Sequence, residues 1–125
     1  MKLFVTALLT LSLIVGLCIF GTAASTNIID DLLSELHRAP TDGNNIPENA
    51  SEVSENILAM WEEKFFIISM FHPHEHLDEV KEKMIALASY ADTEEYAEWA
   101  EAHESLEESL LHLRSLLEAN IDNIL

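Results

Sequence analysis

Apolar residues recur along this chain at the three- and four-residue spacings that are typical of amphipathic helices. Short stretches that hold the three prolines separate the periodic segments. No segment shows the strict apolar–polar alternation of a half-buried strand. The pattern therefore predicts an all-α fold, a small array or bundle of about four amphipathic helices over 26–38, 51–71, 75–90 and 92–124, with a loop over 39–50.

The second predicted helix is the most apolar of these segments and is expected to be the central core element. Its final residues, from Lys64 to Phe71, are apolar on nearly all sides. One cluster of large residues on the predicted inner faces is either core or the lining of a groove for a small apolar ligand. These residues are Trp61, Phe65, Ile68, Met84 and Trp99.

The fourth predicted helix carries a heptad-like apolar seam from Tyr96 to Leu117. A single helix over 92–124 would be about 50 Å long, which exceeds the width of a domain of this size. The segment therefore forms one overhanging helix or two shorter ones. Packing of the seam against its own chain is the preferred interpretation, and a homodimer joined through 96–117 is the alternative.

Residues 1–24 have the pattern of a secretory signal peptide. Lys2 precedes an apolar run over 3–20, and small residues follow, with Thr22 and Ala24 at the −3 and −1 positions of a cut before Ser25. The sequence thus predicts a secreted, extracellular single domain over 25–125 with no stable membrane span after cleavage. The alternative is a signal anchor that stays in the membrane, because the apolar run is just long enough to span it.

The charge of the chain excludes one class of partner. It has 23 acidic and 6 basic residues, a formal charge of −17, and removal of residues 1–24 takes away one basic residue and no acidic one, leaving −18. A surface this acidic repels phosphates, so no nucleic acid is expected as a partner. The acidic residues lie mainly on the predicted outer faces of the helices, which indicates a solvated surface.

Three histidines alternate in the predicted turn between the second and third helices, at His72, His74 and His76. Neutral imidazoles are common ligands of zinc and copper, so this turn is a candidate metal site. A solvated turn with a chance cluster of histidines is the alternative. The same residues fit an H-x-x-E-H peptidase pattern, but Pro73 would have to lie in the first turn of the motif helix. No other catalytic motif is present, and the chain is predicted not to be an enzyme and to require no cofactor.

Asn49-Ala50-Ser51 is an acceptor triplet for N-glycosylation, which is meaningful if the chain is exported. The same asparagine, with Glu52 three residues later, also resembles a capping box at the start of the second helix. A glycan and a capping role compete for this side chain.

The stretch from Glu55 to Leu125 resembles the small secreted nematode proteins of the SXP/RAL-2 type. The resemblance is carried by an aromatic–apolar helix, an acidic–basic helix and a long charged helix, namely Phe65-Phe66-Ile67-Ile68, the segment 77–84, and Glu95-Tyr96-Ala97-Glu98-Trp99 leading to Ile124-Leu125. It implies a compact helical array, extracellular secretion and no established catalysis. Together with the composition, it favours a secreted, non-enzymatic protein that binds a protein partner or a small apolar ligand, with zinc or copper binding as the alternative.

Overall fold

A computed structural model describes the backbone of residues 1–41 and 43–124, and the side chains of these residues as far as 119. It contains four helices: α1 (Lys2–His37), α2 (Ala50–Ser69), α3 (His74–Ala91) and α4 (Tyr96–Ile124). No strand occurs in the described part of the chain. The predicted all-α arrangement of four helices is confirmed.

The helices form an up-and-down bundle. Each helix contacts the next one in sequence, and α4 closes the ring against α1. The α2–α3 and α3–α4 connections have only four residues each, and contacts such as Asn56–Glu35 and Arg114–Asp30 pair α1 with α2 and α4 in reversed sequence order, so neighbouring helices run antiparallel. As a result, the end of α2, the start of α3 and the end of α4 lie at one end of the bundle, together with the middle of α1.

The core consists of the apolar stripes that the spacing predicts on each helix. Its largest members are the two tryptophans, Trp61 from α2 and Trp99 from α4, each only 1% exposed. Around them pack the apolar residues of the second half of α1 and of α3, among them Ile29, Leu32, Leu36, Leu77, Met84 and Leu87. No disulfide links the described residues, so this core holds the fold together.

α1 is much longer than the helix predicted over 26–38. It runs without a break from Lys2, through the predicted cleavage position, to His37. Its first nineteen residues make almost no contact with the bundle and its last seventeen supply one side of it. The shorter prediction assumes that residues 1–24 are a cleaved signal peptide and not part of the folded helix.

α4 is one continuous helix that begins at Tyr96, four residues later than predicted. Asp92 ends α3 instead of capping α4, and the hydroxyl of Thr93 accepts a hydrogen bond from the Glu95 amide. The apolar seam of α4 is buried in its own chain, against α1 and α3, from Trp99 to Leu117. This seam therefore offers no free apolar surface for the coiled-coil homodimer considered over 96–117.

The capping box predicted for Asn49 is not formed, because Asn49 makes no side-chain hydrogen bond to the amides of α2. Its backbone angles, φ −89° and ψ 7°, differ from the extended conformation of a typical N-cap. Its amide nitrogen instead donates to the carbonyl of Arg38 over 2.8 Å, and Ser51 donates to Asp92 over 2.7 Å. Both polar side chains of the triplet thus tie loops together, and glycosylation of Asn49 stays a prediction.

Candidate functional site

The three histidines of the predicted metal site lie at the end of the bundle where α2 meets α3. Pro73 precedes α3 in an extended conformation, with φ −61° and ψ 140°, and the helix begins at His74. His74 and His76 are two positions apart on this helix, so their side chains project in directions about 200° apart around the helix axis. His72 is buried and His74 is exposed. The turn therefore does not gather the three imidazoles, and the predicted three-histidine site is not formed.

His72 packs beneath this turn with only 7% of its surface exposed, and its Nε2 atom has no hydrogen-bond partner among the described residues. Burial lowers the pKa of His72 below its usual 6.5, and the positive charge of a protonated His76 lowers it further. The folded protein thus holds His72 as a neutral imidazole at neutral pH.

His76 faces a different partner, His112 of α4. Their ring centres are 6.1 Å apart, and the ring planes are tilted by 60°. The two rings line a shallow groove of about 310 Å³ between α3 and α4, with Glu79 and Glu108 also on its walls. Within the described residues, no group of three or more ligating side chains is arranged to hold a metal ion.

The candidate apolar-ligand residues belong to the core. Trp61, Ile68, Met84 and Trp99 are each at most 1% exposed, and Phe65 packs against them half-buried. A depression of about 280 Å³ touches the edges of Trp61 and Phe65, but charged side chains, Glu62, Asp78 and Lys81, line the rest of it. These residues fill the interior, and an apolar ligand would have to displace them.

His103, on the seam of α4, is a core histidine, as its position in the pattern indicates. It is 3% exposed, stacks near Trp99 with ring centres 5.3 Å apart, and its Nε2 lies 3.0 Å from the carbonyl oxygen of Leu36. Because a carbonyl only accepts, His103 is the Nε2–H tautomer and donates. The bond fastens the end of α1 to α4.

The junction inside α1 is the feature that sequence reasoning missed. Gly21 lies against the ring of Phe71, so closely that a Cβ atom at this position would overlap the ring. The next residue, Thr22, is 4% exposed, and one turn after Gly21 the helix buries Ser25 completely. The small residues that resemble a cleavage site therefore form the first layer of the packed bundle. Small side chains suit both roles, and their composition does not separate the two.

Before this junction, α1 is an exposed apolar rod. By length and composition the helix can cross a membrane, and its most apolar window has no residue buried in the bundle. Between Lys2 and Asp30 it contains no charged side chain. Residues 3–20 alone would span about 27 Å, close to the ~30 Å hydrocarbon thickness of a bilayer. The apolar helix is compatible with a signal peptide or with a membrane anchor.

A family profile described as "Domain of unknown function (DUF4363)" matches residues 20–124. The chain belongs to the DUF4363 family. Neither the curated proteins nor the solved structures include a significant match to the chain. The DUF4363 match begins at residue 20, next to the point where burial in the bundle begins at Gly21. Both boundaries lie several residues before the predicted cut at Ser25.

Proposed function

We propose that this DUF4363 chain is a membrane-anchored, non-enzymatic interaction domain. The first half of α1 spans the bilayer, and the acidic bundle stands on the extracytoplasmic face, where it binds a protein partner. The observation that carries the proposal is the continuity of α1 from its apolar half into the core.

A cut before Ser25 would be costly for this fold. It would remove Gly21 and Thr22, which pack at the base of the bundle, and it would create a charged amino terminus at Ser25, which is fully buried in the intact helix. Burying an unpaired charge costs several kcal/mol, so the first turn would unwind to bring the charge into water. Unwinding would expose Ile28 and Ile29. Retention of α1 avoids both penalties and therefore supports an anchor over a cleaved signal.

The charge distribution supports the proposed orientation. Lys2 is the only charged side chain among residues 1–29, so the basic residue flanks the beginning of the span. By the positive-inside rule, this flank stays on the cytoplasmic side and the bundle lies on the opposite side.

The surface of the bundle supports a protein partner better than a small apolar ligand. The aromatic residues that could line a ligand site fill the core. On α4, the exposed carboxylates of Glu98, Glu101 and Glu104 have no basic group within 4.0 Å among the described residues. Uncompensated charge of one sign favours encounter with a surface of the opposite sign, so a partner with a basic face fits this helix.

Fractionation and intact mass test the anchor. The full chain with a C-terminal tag is expected to stay with membranes after alkaline carbonate extraction, with a mass that includes residues 1–24. A matched control that starts at Ser25 should partition to the soluble fraction. When the full chain is expressed, recovery of the tagged product from the medium with Ser25 as its first residue would contradict the anchor and support the secreted form that the SXP/RAL-2 resemblance implies.

Metal binding is the competing proposal, and it has less support because only His76 and His112 share a groove. Zinc and copper titrations followed by calorimetry separate the two proposals. We expect no saturable site at equimolar metal, and no difference between the wild-type chain and His74→Ala. Saturable binding that His74→Ala abolishes would favour the metal-binding proposal.

A further inference from the structure

Among the residues whose side chains the structure describes, few large apolar side chains are exposed on the bundle outside the apolar half of α1. They are Phe66, 76% exposed, Met70, 59%, Ile85, 51%, and Leu111, 47%. The first two lie four residues apart, so they share one side of α2 at its C-terminal end. Ile85 and Leu111 are single residues on other helices.

The end of α2 lies level with the point where α1 enters the bundle. The contact between Gly21 and Phe71 fixes this level, since Met70 directly precedes Phe71 in the chain. Phe20, which directly precedes Gly21, is itself 73% exposed. At 1.5 Å per helical residue, Phe66 lies about 6 Å farther from the proposed bilayer than Met70.

This end of the bundle is also free of acidic side chains on two helices. α1 has none before Asp30, and the stretch 65–73 has no charged residue at all. The nearest charged residue on α2 is a lysine, Lys64, with about half of its side chain exposed. α3 and α4 do carry exposed carboxylates at this end, Glu75 and Glu118, so the gap in the acidic surface of this chain of formal charge −17 is confined to the side formed by α1 and α2. On that side, contact with an anionic headgroup layer is not opposed by nearby carboxylates.

We infer that Phe20, Phe66 and Met70, here called the interfacial patch, lie in the headgroup region of the bilayer that α1 spans. The inference rests on the proposed anchor and adds a second contact between the bundle and the membrane. The occupant is lipid because the junction at Gly21 leaves no linker between the span and the patch. Headgroup and interfacial regions extend about 5–8 Å beyond the hydrocarbon on each side, enough to reach Met70 and then Phe66.

Depth measurements on the full chain in phosphatidylcholine–phosphatidylglycerol vesicles test this placement. In a Cys18→Ser background, single cysteines are introduced as Leu11→Cys, Met70→Cys and Ile85→Cys and labelled with an environment-sensitive fluorophore. Ile85 is the matched control, since its exposure is similar to that of Met70 but it lies about 16 Å along α3 from the start of that helix.

We expect the label at position 11 to be quenched by deep spin-labelled lipid, the label at 70 by shallow spin-labelled lipid, and the label at 85 by aqueous iodide alone. A label at 70 as accessible to iodide as the one at 85, with position 11 still in lipid, would overturn the interfacial patch and leave the anchor intact. Shielding at 70 from both quenchers would indicate a protein contact and also overturn it. A label at 11 outside the lipid would refute the anchor itself.

Discussion

Replacing Gly21 with alanine tests directly whether α1 enters the bundle as one packed helix. In a helix interior, glycine to alanine is normally stabilising by about 1 kcal/mol. Here the added methyl group would overlap the ring of Phe71, which must move or be compressed. Overpacking of this kind costs about 1–3 kcal/mol. The free energy of unfolding of Gly21→Ala should therefore be lower than that of the wild type by about 0–2 kcal/mol.

The sign should reverse once the ring is removed. In a Phe71→Ala background the methyl group at position 21 has room, so Gly21→Ala should stabilise by about 0.5–1 kcal/mol. The coupling energy of the double-mutant cycle is then the overpacking cost, about 1–3 kcal/mol. Gly16→Ala in the same helix is the control, because a Cβ there has nothing within 4 Å, and it should show no coupling to Phe71→Ala.

Urea unfolding of the detergent-solubilised full chain, followed by tryptophan fluorescence, measures all four corners of this cycle. Both tryptophans are buried, so their emission reports loss of the core. A coupling energy below about 0.5 kcal/mol would refute the close approach at Gly21. Full cleavage before Ser25 would give the same null result, and the intact mass distinguishes the two cases.

Further substitutions at His72, His103 and Asn49 test the contacts of three polar side chains, of which the two histidines are buried. Burial lowers the pKa of His72, so the imidazole binds a proton more tightly in the unfolded chain than in the folded one, and the free energy of unfolding should fall as the pH drops below about 6.5. His72→Leu should flatten this pH dependence between about pH 7 and 5.5, as measured by urea titrations. An unchanged slope in the variant would contradict the burial of His72. His103→Phe keeps the ring but removes the donor to Leu36, and should cost about 1–3 kcal/mol by thermal unfolding; a neutral effect would contradict the hydrogen bond. Asn49→Asp sets a carboxylate against the Arg38 carbonyl and should cost more than Asn49→Ala in the same assay; the reverse order would contradict the observed contact.

The helical core was predictable because each helix carries its own signal in the spacing of its apolar residues. Ile28, Leu32 and Leu36 recur on one face of α1, and all three are buried as that spacing indicates. His103 lies on the apolar seam of α4 by the same kind of spacing, and it too is buried. Its partner, the carbonyl of Leu36, lies 67 residues away, and no local pattern points to it.

The arrangement of the histidines and the start of the packed part of α1 were not predictable, because they depend on contacts between distant segments or on residues that suit two roles. The spacing of the histidines suggested a shared metal site. Pro73 is the N-cap of α3, however, and His74 and His76 lie on different sides of this helix. The pairing of His76 with His112 follows from the packing of α3 on α4. At the junction, Gly21 and its small neighbours suit both a signal-peptidase site and a close helix contact, so composition alone does not determine where the packed part of α1 begins.

The unbroken α1 also sets a distance. From Gly21 to His37 the helix rises about 26 Å, so the loops at its far end are held at a fixed height above the proposed membrane surface. A partner that contacts the α1–α2 and α3–α4 loops must therefore reach them at about this distance from the proposed membrane surface. Because α1 is continuous from the proposed membrane-spanning segment into the bundle, a change in the tilt of that segment would displace the loops laterally.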